Sequence, residues 1–491
     1  MPTLIVTSDS DDWPFDIPDV QVVDAWSYLT SPEFASAARS TRVFNLCRSY
    51  RYQSTGYYVS LLAEARGHKP LPGVTTLQDL KTRSMVRMVS TELEDLMQKS
   101  LAPLHSDEFV LSIYFGRNLA QRYDRLCLQL FNLFPMPLLR VEFIRRDAVW
   151  HIRRIQALPG SDVPESHREF VAQSAVRYFS GRSGSPRSPK RTRFDMAILH
   201  DPNEKENAPS GEGALKKFLK AAAKEDIHAE LITKDDAGHL LEFDALFIRE
   251  TTSINHHTYR FARRAASEGL VVIDDPISIS RCTNKVYLAE LLNRHKIAIP
   301  RTIVLHRNNI DRIADELGFP CVLKKPDSSF SQGVVKVADA NDLDRHLNDF
   351  LGESDLLVAQ EFLPTTFDWR IGVLDCKPLF ACRYFMARGH WQIIRQEEHG
   401  SGRYGRTEAV PVELAPRKAV DIAVKAANLI GNGFYGVDVK ESDGRFTVIE
   451  VNDNPNVDSG VEDALLKDDL YRRIMEVFVK RIEAAKARNN D

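Results

Sequence analysis

The segment Tyr435-Gly-Val-Asp-Val-Lys-Glu-Ser-Asp-Gly-Arg-Phe-Thr-Val-Ile-Glu-Val-Asn452 contains two strand patterns joined by a turn. Each half carries aromatic and β-branched residues, and Asp-Gly between such halves is typical of a β-hairpin. Glu450 interrupts the apolar stretch Val-Ile-Glu-Val of the second half, and a carboxylate there is costly to bury without a partner. The hairpin is therefore a candidate cation site. An edge strand with solvated acids is the alternative interpretation.

The length of the hairpin loop decides whether Asp438 and Glu450 meet. Alternation along the second strand predicts one shared face for four residues: Phe446, Val448, Glu450 and Asn452. A three-residue loop, with Gly444 left-handed, would place Asp438 opposite Val448 and on that face, whereas a two-residue loop would place it on the other. We predict the three-residue loop, because it assembles two carboxylates and an amide oxygen. Ligands of this kind suit Mg²⁺.

A second strand–loop–strand pattern runs from Cys321 to Val337. Its adjacent Lys324 and Lys325 must point to opposite faces of a strand, so one of them can enter a cleft. The loop between them and the next strand carries small residues that would let backbone amides approach phosphates: Ser328, Ser329, Ser331 and Gly333. No Walker sequence is present. An ordinary exposed hairpin is the alternative.

Two further stretches are weaker signals. Acids at the end of Val358–Leu363 and at Asp368 could hold a base and a ribose. The sequence Gly400-Ser-Gly-Arg-Tyr-Gly405 matches a dinucleotide-binding pattern, but no helix pattern follows it, so that interpretation fails. A loop over an active site fits better, with Arg403 and Arg406 able to meet anions.

The rest of the chain divides by composition and periodicity. Strands alternate with helices over 194–280, which predicts a parallel βαβ sheet. Residues 180–193 are rich in Ser, Gly, Pro and Arg and are interpreted as a solvated linker; contact with polyphosphate or RNA is the alternative. Residues 1–179 form an α/β or α+β domain, in which Arg48–Tyr58 is either a ligand site or a helix start packed by aromatics.

Length and composition agree with this division. A chain of 491 residues suggests roughly three domains. The 65 Lys and Arg residues nearly balance the 68 Asp and Glu residues, so nothing marks the whole chain as a nucleic-acid or membrane-surface protein. No apolar run reaches the roughly 18 residues of a membrane helix. The first residues lack the basic region of a signal peptide, so we expect none. We therefore expect a cytoplasmic protein.

The cysteine and histidine patterns indicate no metal or disulfide framework. Six cysteines are scattered without a Cys-x-x-Cys pair, and are expected to be small buried hydrophobes of a reduced protein. The pair His256-His257 is interpreted as part of a helix surface rather than as a metal site.

From about Arg281 to its end, the chain resembles the ATP-grasp superfamily, and most closely the RimK branch of carboxylate–amine ligases. The matching stretches are Thr283–Lys285, Pro320–Lys324, Gln360–Leu363 with Asp368–Arg370, Gly436–Asp438, and Ile449–Asn452 with Pro455. Residues 194–280 are similar to the small pre-ATP-grasp domain. Tyr52–Gly67 resembles the N-terminal domain fused to some RimK-like ATP-grasp proteins.

The resemblance implies a multidomain α/β and α+β fold. An N-terminal α/β accessory domain (1–179) and a linker (180–193) precede a pre-ATP-grasp α/β domain (194–280). The ATP-grasp domain (281–491) would consist of two α+β subdomains that clamp ATP. The family also favours a homo-oligomer.

The resemblance also implies residue roles. Lys285 and Lys324 would contact ATP phosphates, Glu361 and the backbone of Phe362 and Leu363 would hold adenine, and Asp368 would take the ribose. Asp438, Glu450 and Asn452 would ligate Mg²⁺, with Mn²⁺ as the alternative ion. Arg383 matches a catalytic arginine, and Arg383 or Arg403 would stabilise a tetrahedral oxyanion.

The implied reaction is that of an ATP- and Mg²⁺-dependent ligase. It activates a carboxylate as an acylphosphate and joins it to the amine of an amino acid, peptide or protein terminus, releasing ADP and phosphate. Two segments depart from the family: Gln392-Ile-Ile394 replaces Arg-Ser-Asn of RimK, and Asp453–Asp463 replaces a shorter loop. Substrate specificity is therefore not transferred. A regulatory ATP-binding module, with the N-terminal domain as effector, and an ATP-dependent phosphotransfer enzyme are the alternatives.

Overall fold

The computed structural model describes residues 3–13, 15, 17–35, 41–80, 93–180, 192–204, 208–327, 333–395 and 403–488. Three parts of the sequence interpretation lie outside these residues: the linker residues 181–191, the serines 328, 329 and 331, and the glycines 400 and 402. The chain forms two compact units. The first comprises residues 1–191 with 235–242, and the second comprises residues 192–234 with 243–491.

The first unit combines a parallel and an antiparallel sheet. Its strands are β1 (Thr3–Thr7), β2 (Val20–Asp24), β3 (Arg42–Asn45), β4 (Lys69–Leu71), β5 (Glu108–Tyr114), β6 (Leu138–Arg146) and β7 (Val149–Ala157). Its helices are α1 (Ala25–Thr30), α2 (Pro32–Ala35), α3 (Thr55–Ala65), α4 (Val74–Asp79), α5 (Glu94–Leu101), α6 (Asp124–Leu133) and α7 (Arg168–Ser180). The parallel sheet has the order β2-β1-β3-β4, and the antiparallel sheet the order β5-β6-β7.

The middle of the central strand β1, Leu4 to Val6, is apolar, and both of its faces are buried. Leu4 and Val6 contact one core cluster, which contains Tyr28 and Val59 of the covering helices. Ile5, on the other face, joins a larger cluster that extends over the antiparallel sheet. The α/β interpretation of this part of the chain agrees with these elements.

The second unit contains three larger sheets. Its strands are β8 (Phe194–Leu199), β9 (Ile227–Ile232), β10 (Ala245–Ile248), β11 (Val271–Ile273), β12 (Thr302–Leu305), β13 (Cys321–Lys324), β14 (Val334–Val337), β15 (Leu357–Glu361), β16 (Phe367–Leu374), β17 (Lys377–Phe385), β18 (Ile394–Arg395), β19 (Arg403–Tyr404), β20 (Thr407–Val410), β21 (Phe434–Ser442) and β22 (Arg445–Asn452). Its helices are α8 (Glu212–Lys224), α9 (His257–Ser267), α10 (Pro276–Thr283), α11 (Lys285–Arg294), α12 (Ala340–Glu353), α13 (Arg417–Ile430) and α14 (Asp468–Arg488).

The first of these sheets is parallel, with the order β11-β10-β8-β9. This confirms the βαβ pattern expected over 194–280. Helices α8 and α14 cover one face of the sheet through an aromatic cluster. Its members are Phe218, Phe247, Tyr471 and Phe478.

The other two larger sheets are antiparallel, with the orders β12-β15-β13-β14 and β20-β17-β16-β21-β22. The five-stranded sheet buries one face against α13, whose small residues Ala419, Ala423 and Ala426 pack on Trp369 and Val437. The alternate side chains of β16, β21 and β22 face away from this core, and they include most of the charged residues of the strands.

The β21–β22 hairpin corrects one prediction. Ser442 pairs with Arg445, so the loop has two residues, Asp443 and Gly444, both left-handed with φ of 51° and 72°. The predicted three-residue loop is wrong. The register then shifts by one residue between Asp438 and Val439, so Ile449 forms a β-bulge and Asp438 pairs with Glu450 rather than with Val448.

The bulge also divides the predicted shared face of β22. Val448 and Val451 both point into the core cluster against α13, with Phe446 packed beside them. Glu450 and Asn452 point to the opposite face. The expectation that all four residues share one face is therefore wrong, because it assumed strict alternation across residue 449.

The cysteines are unpaired, and five of the six are buried as expected. Cys376 is the exception: it is exposed in the turn between β16 and β17, where its φ is 65°. None of the described helices is long and apolar enough to cross a membrane.

Candidate functional site

A cavity of about 1030 Å³ lies within the second unit, lined by strands of both antiparallel sheets and by the segments that follow β10 and β22. It brings together nine residues that the sequence resemblance assigned to nucleotide and metal binding: Lys285, Lys324, Glu361, Phe362, Leu363, Asp368, Asp438, Glu450 and Asn452. Residues separated by up to 167 positions in the chain therefore share one site.

Lys285 is positioned by the start of α11. Asn284 caps this helix, its Oδ1 accepting from the Tyr287 amide at 2.9 Å. The Lys285 amide donates to the Pro326 carbonyl at 2.9 Å, and Asn284 Nδ2 donates to Asp327 Oδ1 at 2.8 Å, which ties the helix start to the end of β13. The Lys285 ammonium lies 3.9 Å from Glu450 Oε1.

Lys324 ends β13 and points into the cavity, whereas Lys325 turns away, with its Nζ 2.7 Å from Glu353. The expectation of one lysine on each face is confirmed. Burial lowers the pKa of Lys324 to about 8; Glu450 opposes this shift, and the cations of Lys285 and Lys440 add to it. A buried ammonium among other cations favours an anionic ligand.

Arg370 and Asp438 form a buried ion pair on the cavity face of the five-stranded sheet. Arg370 Nη2 lies 3.0 Å from Asp438 Oδ2, and Nε donates to Oδ1. Burial raises the pKa of Asp438, and the guanidinium opposes the shift. Arg370 was not among the expected site residues. The signal that could have found it is its spacing of two from Asp368, which places both on one face of β16.

The residues expected to hold Mg²⁺ form a suitable donor set. Asp438 pairs directly with Glu450, and Asn452 pairs with Gly436, all facing the cavity. Asn452 Nδ2 donates to the Gly436 carbonyl at 3.4 Å, which leaves the amide oxygen available. Two carboxylates and one amide oxygen are hard ligands of the type that Mg²⁺ prefers. The chemistry of these residues therefore fits the ion.

The residues expected to hold the nucleoside already have partners. Asp368 Oδ1 accepts from Lys440 Nζ at 2.7 Å and from Thr365 Oγ1 at 2.8 Å. The Glu361 carboxylate accepts from the amide and the Nε of Arg301, at 3.0 and 2.9 Å. The side chain of Glu361 is thus committed to Arg301, and its amide donates to the Arg301 carbonyl at 2.9 Å, so the backbone of Phe362 and Leu363 is what can meet a base. Lys440 is a further cavity residue that sequence reasoning missed.

Of the two predicted catalytic arginines, Arg383 does not line the cavity, and the side chain of Arg403 lies outside the described part of the chain. Arg383 pairs with Trp369 and Glu408, on the face of the sheet opposite Asp368. Its guanidinium lies 4.9 Å from the Trp369 ring and 3.8 Å from Glu408. Because side chains alternate along β17, the residue after Arg383, Tyr384, points into the cavity instead. Arg403 lies in β19, whose backbone pairs with β18.

A fully buried arginine supports the cavity wall after β22. Arg249 Nη1 donates to Asn454 Oδ1 at 2.7 Å, and Nη2 donates to the carbonyls of Pro455 and Pro209 at 2.7 and 2.6 Å. Its Nε donates to Ser210 Oγ at 3.0 Å. The residue that follows β10 therefore holds in place the segment that departs from the family pattern. No sequence pattern pointed to this residue.

The chain matches two protein-family models and several curated relatives. The model of the RimK-like ATP-grasp domain matches residues 282–477, and that of the RimK-like ATPgrasp N-terminal domain matches residues 25–174. A probable alpha-L-glutamate ligase of Thioalkalivibrio sulfidiphilus is 30% identical over 229 residues, which cover 46% of this chain and 73% of the relative. A probable alpha-L-glutamate ligase of Psychromonas ingrahamii is 30% identical over 246 residues, covering 49% and 78%.

Among solved structures, the RimK domain protein ATP-grasp from Sphaerobacter thermophilus is 19% identical, with a TM-score of 0.44. The match covers 58% of this chain and 99% of that protein. The family matches and the two relatives confirm the fold class and the enzyme class expected from the sequence. The chain belongs to the RimK-like ATP-grasp family of ligases.

Proposed function

We propose that this ligase uses Mg²⁺ and ATP to activate a carboxylate as an acylphosphate, which an amine then attacks to form an amide. The observation that carries the proposal is the arrangement of Asp438, Glu450 and Asn452 on one sheet, facing the same cavity as Lys285 and Lys324. Cations and hard oxygen ligands side by side are what a metal-bound polyphosphate requires.

The lysines and the acids have complementary roles. Lys285 and Lys324 bind the phosphates and offset their charge, and Asp438, Glu450 and Asn452 hold Mg²⁺. When bound, the ion neutralises phosphate charge and orients the transferred group. Lys285 lies 3.9 Å from Glu450, so the phosphate-binding and metal-binding groups adjoin each other. Positioning and charge neutralisation are the main contributions that phosphoryl transfer needs from a protein.

Arg370 is a better candidate than Arg383 to stabilise the oxyanion of the amide-forming step. Its guanidinium is on the cavity face and is held by Asp438 through two hydrogen bonds. A preorganised cation in a site of low dielectric stabilises developing negative charge without moving. Arg403 stays a second candidate for this role.

The side chains of the cavity wall that follows β22 favour an amine as the second substrate. Asp453, Asp458 and Glu462 line it together with Asn454 and Asn456. Acidic and amide groups attract an ammonium rather than a second carboxylate. The names of the relatives make glutamate one amino acid to test, and the wall residues extend the test to other small amines and peptides.

The decisive experiment is a coupled assay of ADP release with panels of carboxylic acids and amines, followed by mass spectrometry of the products. Hydroxylamine is added in parallel to trap an acylphosphate as a hydroxamate. Glu450→Ala is the inactive control. ADP release that requires both an acid and an amine supports the proposal. If no amine raises ADP release and hydroxylamine traps nothing, the chain binds ATP without ligating, and the regulatory alternative replaces it.

We also propose that the protein works in the cytoplasm and assembles with copies of itself. Five buried, unpaired cysteines suit a reducing compartment. Light scattering of the full chain in solution measures the assembly directly, and a mass of one chain would contradict it.

A further inference from the structure

Glu250, His256 and His257 form a cluster in the second unit, at the start of α9. One ligand atom from each residue lies within 4.8 Å of the other two. The imidazole rings of the two histidines have centroids 3.9 Å apart. The sequence interpretation of this pair as a plain helix surface missed Glu250, because the carboxylate comes from the segment that follows β10.

Glu250 has an unused oxygen in this cluster. The residue is 2% exposed. Its Oε1 contacts His257 Nε2, while its buried Oε2 has no hydrogen-bond partner among the described residues. A buried carboxylate oxygen without a partner is costly, so an additional cation at this point would stabilise the fold.

The hydrogen bonds of His256 leave one of its nitrogens available. Thr258 Oγ1 donates its single proton to the Thr251 carbonyl at 3.4 Å. With the hydroxyl proton directed to Thr251, the contact of 3.1 Å between His256 Nδ1 and Thr258 Oγ1 is one in which Nδ1 carries the proton and donates. The lone pair is consequently on Nε2. A metal-binding histidine typically has this arrangement, with the other ring nitrogen donating to a fixed acceptor.

We propose that Glu250, His256 and His257 bind a transition-metal ion of the Zn²⁺ class, separate from the Mg²⁺ of the ligase site. Two imidazoles and one carboxylate, with water in the fourth position, suit Zn²⁺. The all-oxygen donors of the cavity suit Mg²⁺ instead.

A bound ion would fasten the segment after β10 to the start of α9. Thr251, Thr252 and Ser253, which line the cavity, lie in this segment. The Asn454 Nδ2 atom also donates to the Glu250 carbonyl at 2.7 Å. The metal site therefore adjoins the wall that faces the substrates, and its role is to hold that wall in place. Binding of the ion does not depend on the ligase reaction.

The test is Zn²⁺ binding by the full-length protein, stripped with a chelator and then kept in excess Mg²⁺. Titration against a chromophoric chelator is expected to show one tight equivalent. His256→Ala, His257→Ala and Glu250→Gln should each weaken this binding at least ~10-fold, and Thr258→Ala should weaken it by about 10-fold through the lost acceptor. His228→Ala is the matched control, since His228 and Glu230 form an exposed pair at 2.8 Å on β9.

Circular dichroism and thermal unfolding show whether each variant folds, and Glu250→Gln and Thr258→Ala preserve packing if a histidine variant does not. A wild-type protein that binds less than one equivalent of Zn²⁺ would overturn the proposal. So would folded Glu250→Gln and Thr258→Ala variants that bind Zn²⁺ as tightly as the wild type. Loss of Zn²⁺ binding in the His228→Ala control would assign the ion to β9, and this outcome would also overturn the proposal.

Discussion

Asp438 lies directly across from Glu450 in the β21–β22 hairpin, although the hairpin turns through only two residues. A two-residue turn with regular pairing would place these acids on opposite faces. The additional residue Ile449 shifts the register by one and returns Glu450 to the face of Asp438. The candidate metal site thus depends on one bulge, a device that re-aims side chains next to active sites.

Glu450→Gln is expected to weaken the apparent affinity for Mg²⁺ at least ~10-fold in the ADP-release assay, because one anionic ligand becomes neutral. The matched control is Glu441→Gln in the same hairpin. Glu441 Oε2 accepts from Trp369 Nε1 at 3.1 Å, and a glutamine oxygen preserves this bond. Equal Mg²⁺ dependence in the two variants would contradict the assignment of Glu450.

Gly444→Ala is expected to destabilise the protein by ~1–2 kcal/mol. The residue has a φ of 72°, and an added Cβ meets no atom within 4 Å, so the cost is backbone strain alone. Gly352→Ala is the control: its Cβ also meets nothing, but it lies in α12, where alanine should stabilise by up to ~1 kcal/mol. Urea unfolding followed by tryptophan fluorescence measures the free energy of unfolding of both variants. A change of the same sign in the two would refute the argument.

Arg370→Met is expected to destabilise the protein by ~3–5 kcal/mol, because it leaves the Asp438 carboxylate buried without its partner. The same change at Arg301 removes a pair with Glu361 in which the arginine side chain is 67% exposed, and should cost under ~1 kcal/mol. Unfolding midpoints of the two variants give the comparison. A smaller loss of stability in Arg370→Met than in Arg301→Met would show that the buried ion pair does not stabilise the fold more than the exposed one.

ATP affinity of the free enzyme is expected to fall as the pH rises through about 8. Burial lowers the pKa of Lys324 to about 8, so the ammonium is present below this pH and lost above it. Because the phosphates bind the protonated lysine, Kd should rise by up to ~10-fold per pH unit above about 8. Lys324→Gln should flatten this profile, whereas Lys325→Gln, whose lysine pairs with Glu353, should keep it. Titrations at several pH values check both, and an unchanged profile in Lys324→Gln would exclude Lys324 as the titrating group.

The alternation of residue types within single strands, and the order of helices and strands along the chain, were sufficient to predict part of the site and of the fold around it. Alternation on β13 separates Lys324 from Lys325, and the parallel sheet of 194–280 follows from alternating helices and strands. Arg383 shows where local pattern fails: its place in the sequence resembles a catalytic arginine, yet one residue of strand register turns it toward Trp369. Register is a property of the pairing between strands, which a single strand does not contain.

The amino-acid sequence by itself determined which residue types are available: the lysines, the acids and the amide that one cavity collects, and the family to which they belong. Only the tertiary structure decided their partners. The bulge at Ile449, the pairing of Arg370 with Asp438 and the meeting of Glu250 with the two histidines each join residues that come from different elements. Periodicity describes one element at a time, whereas these contacts depend on how elements pair and pack.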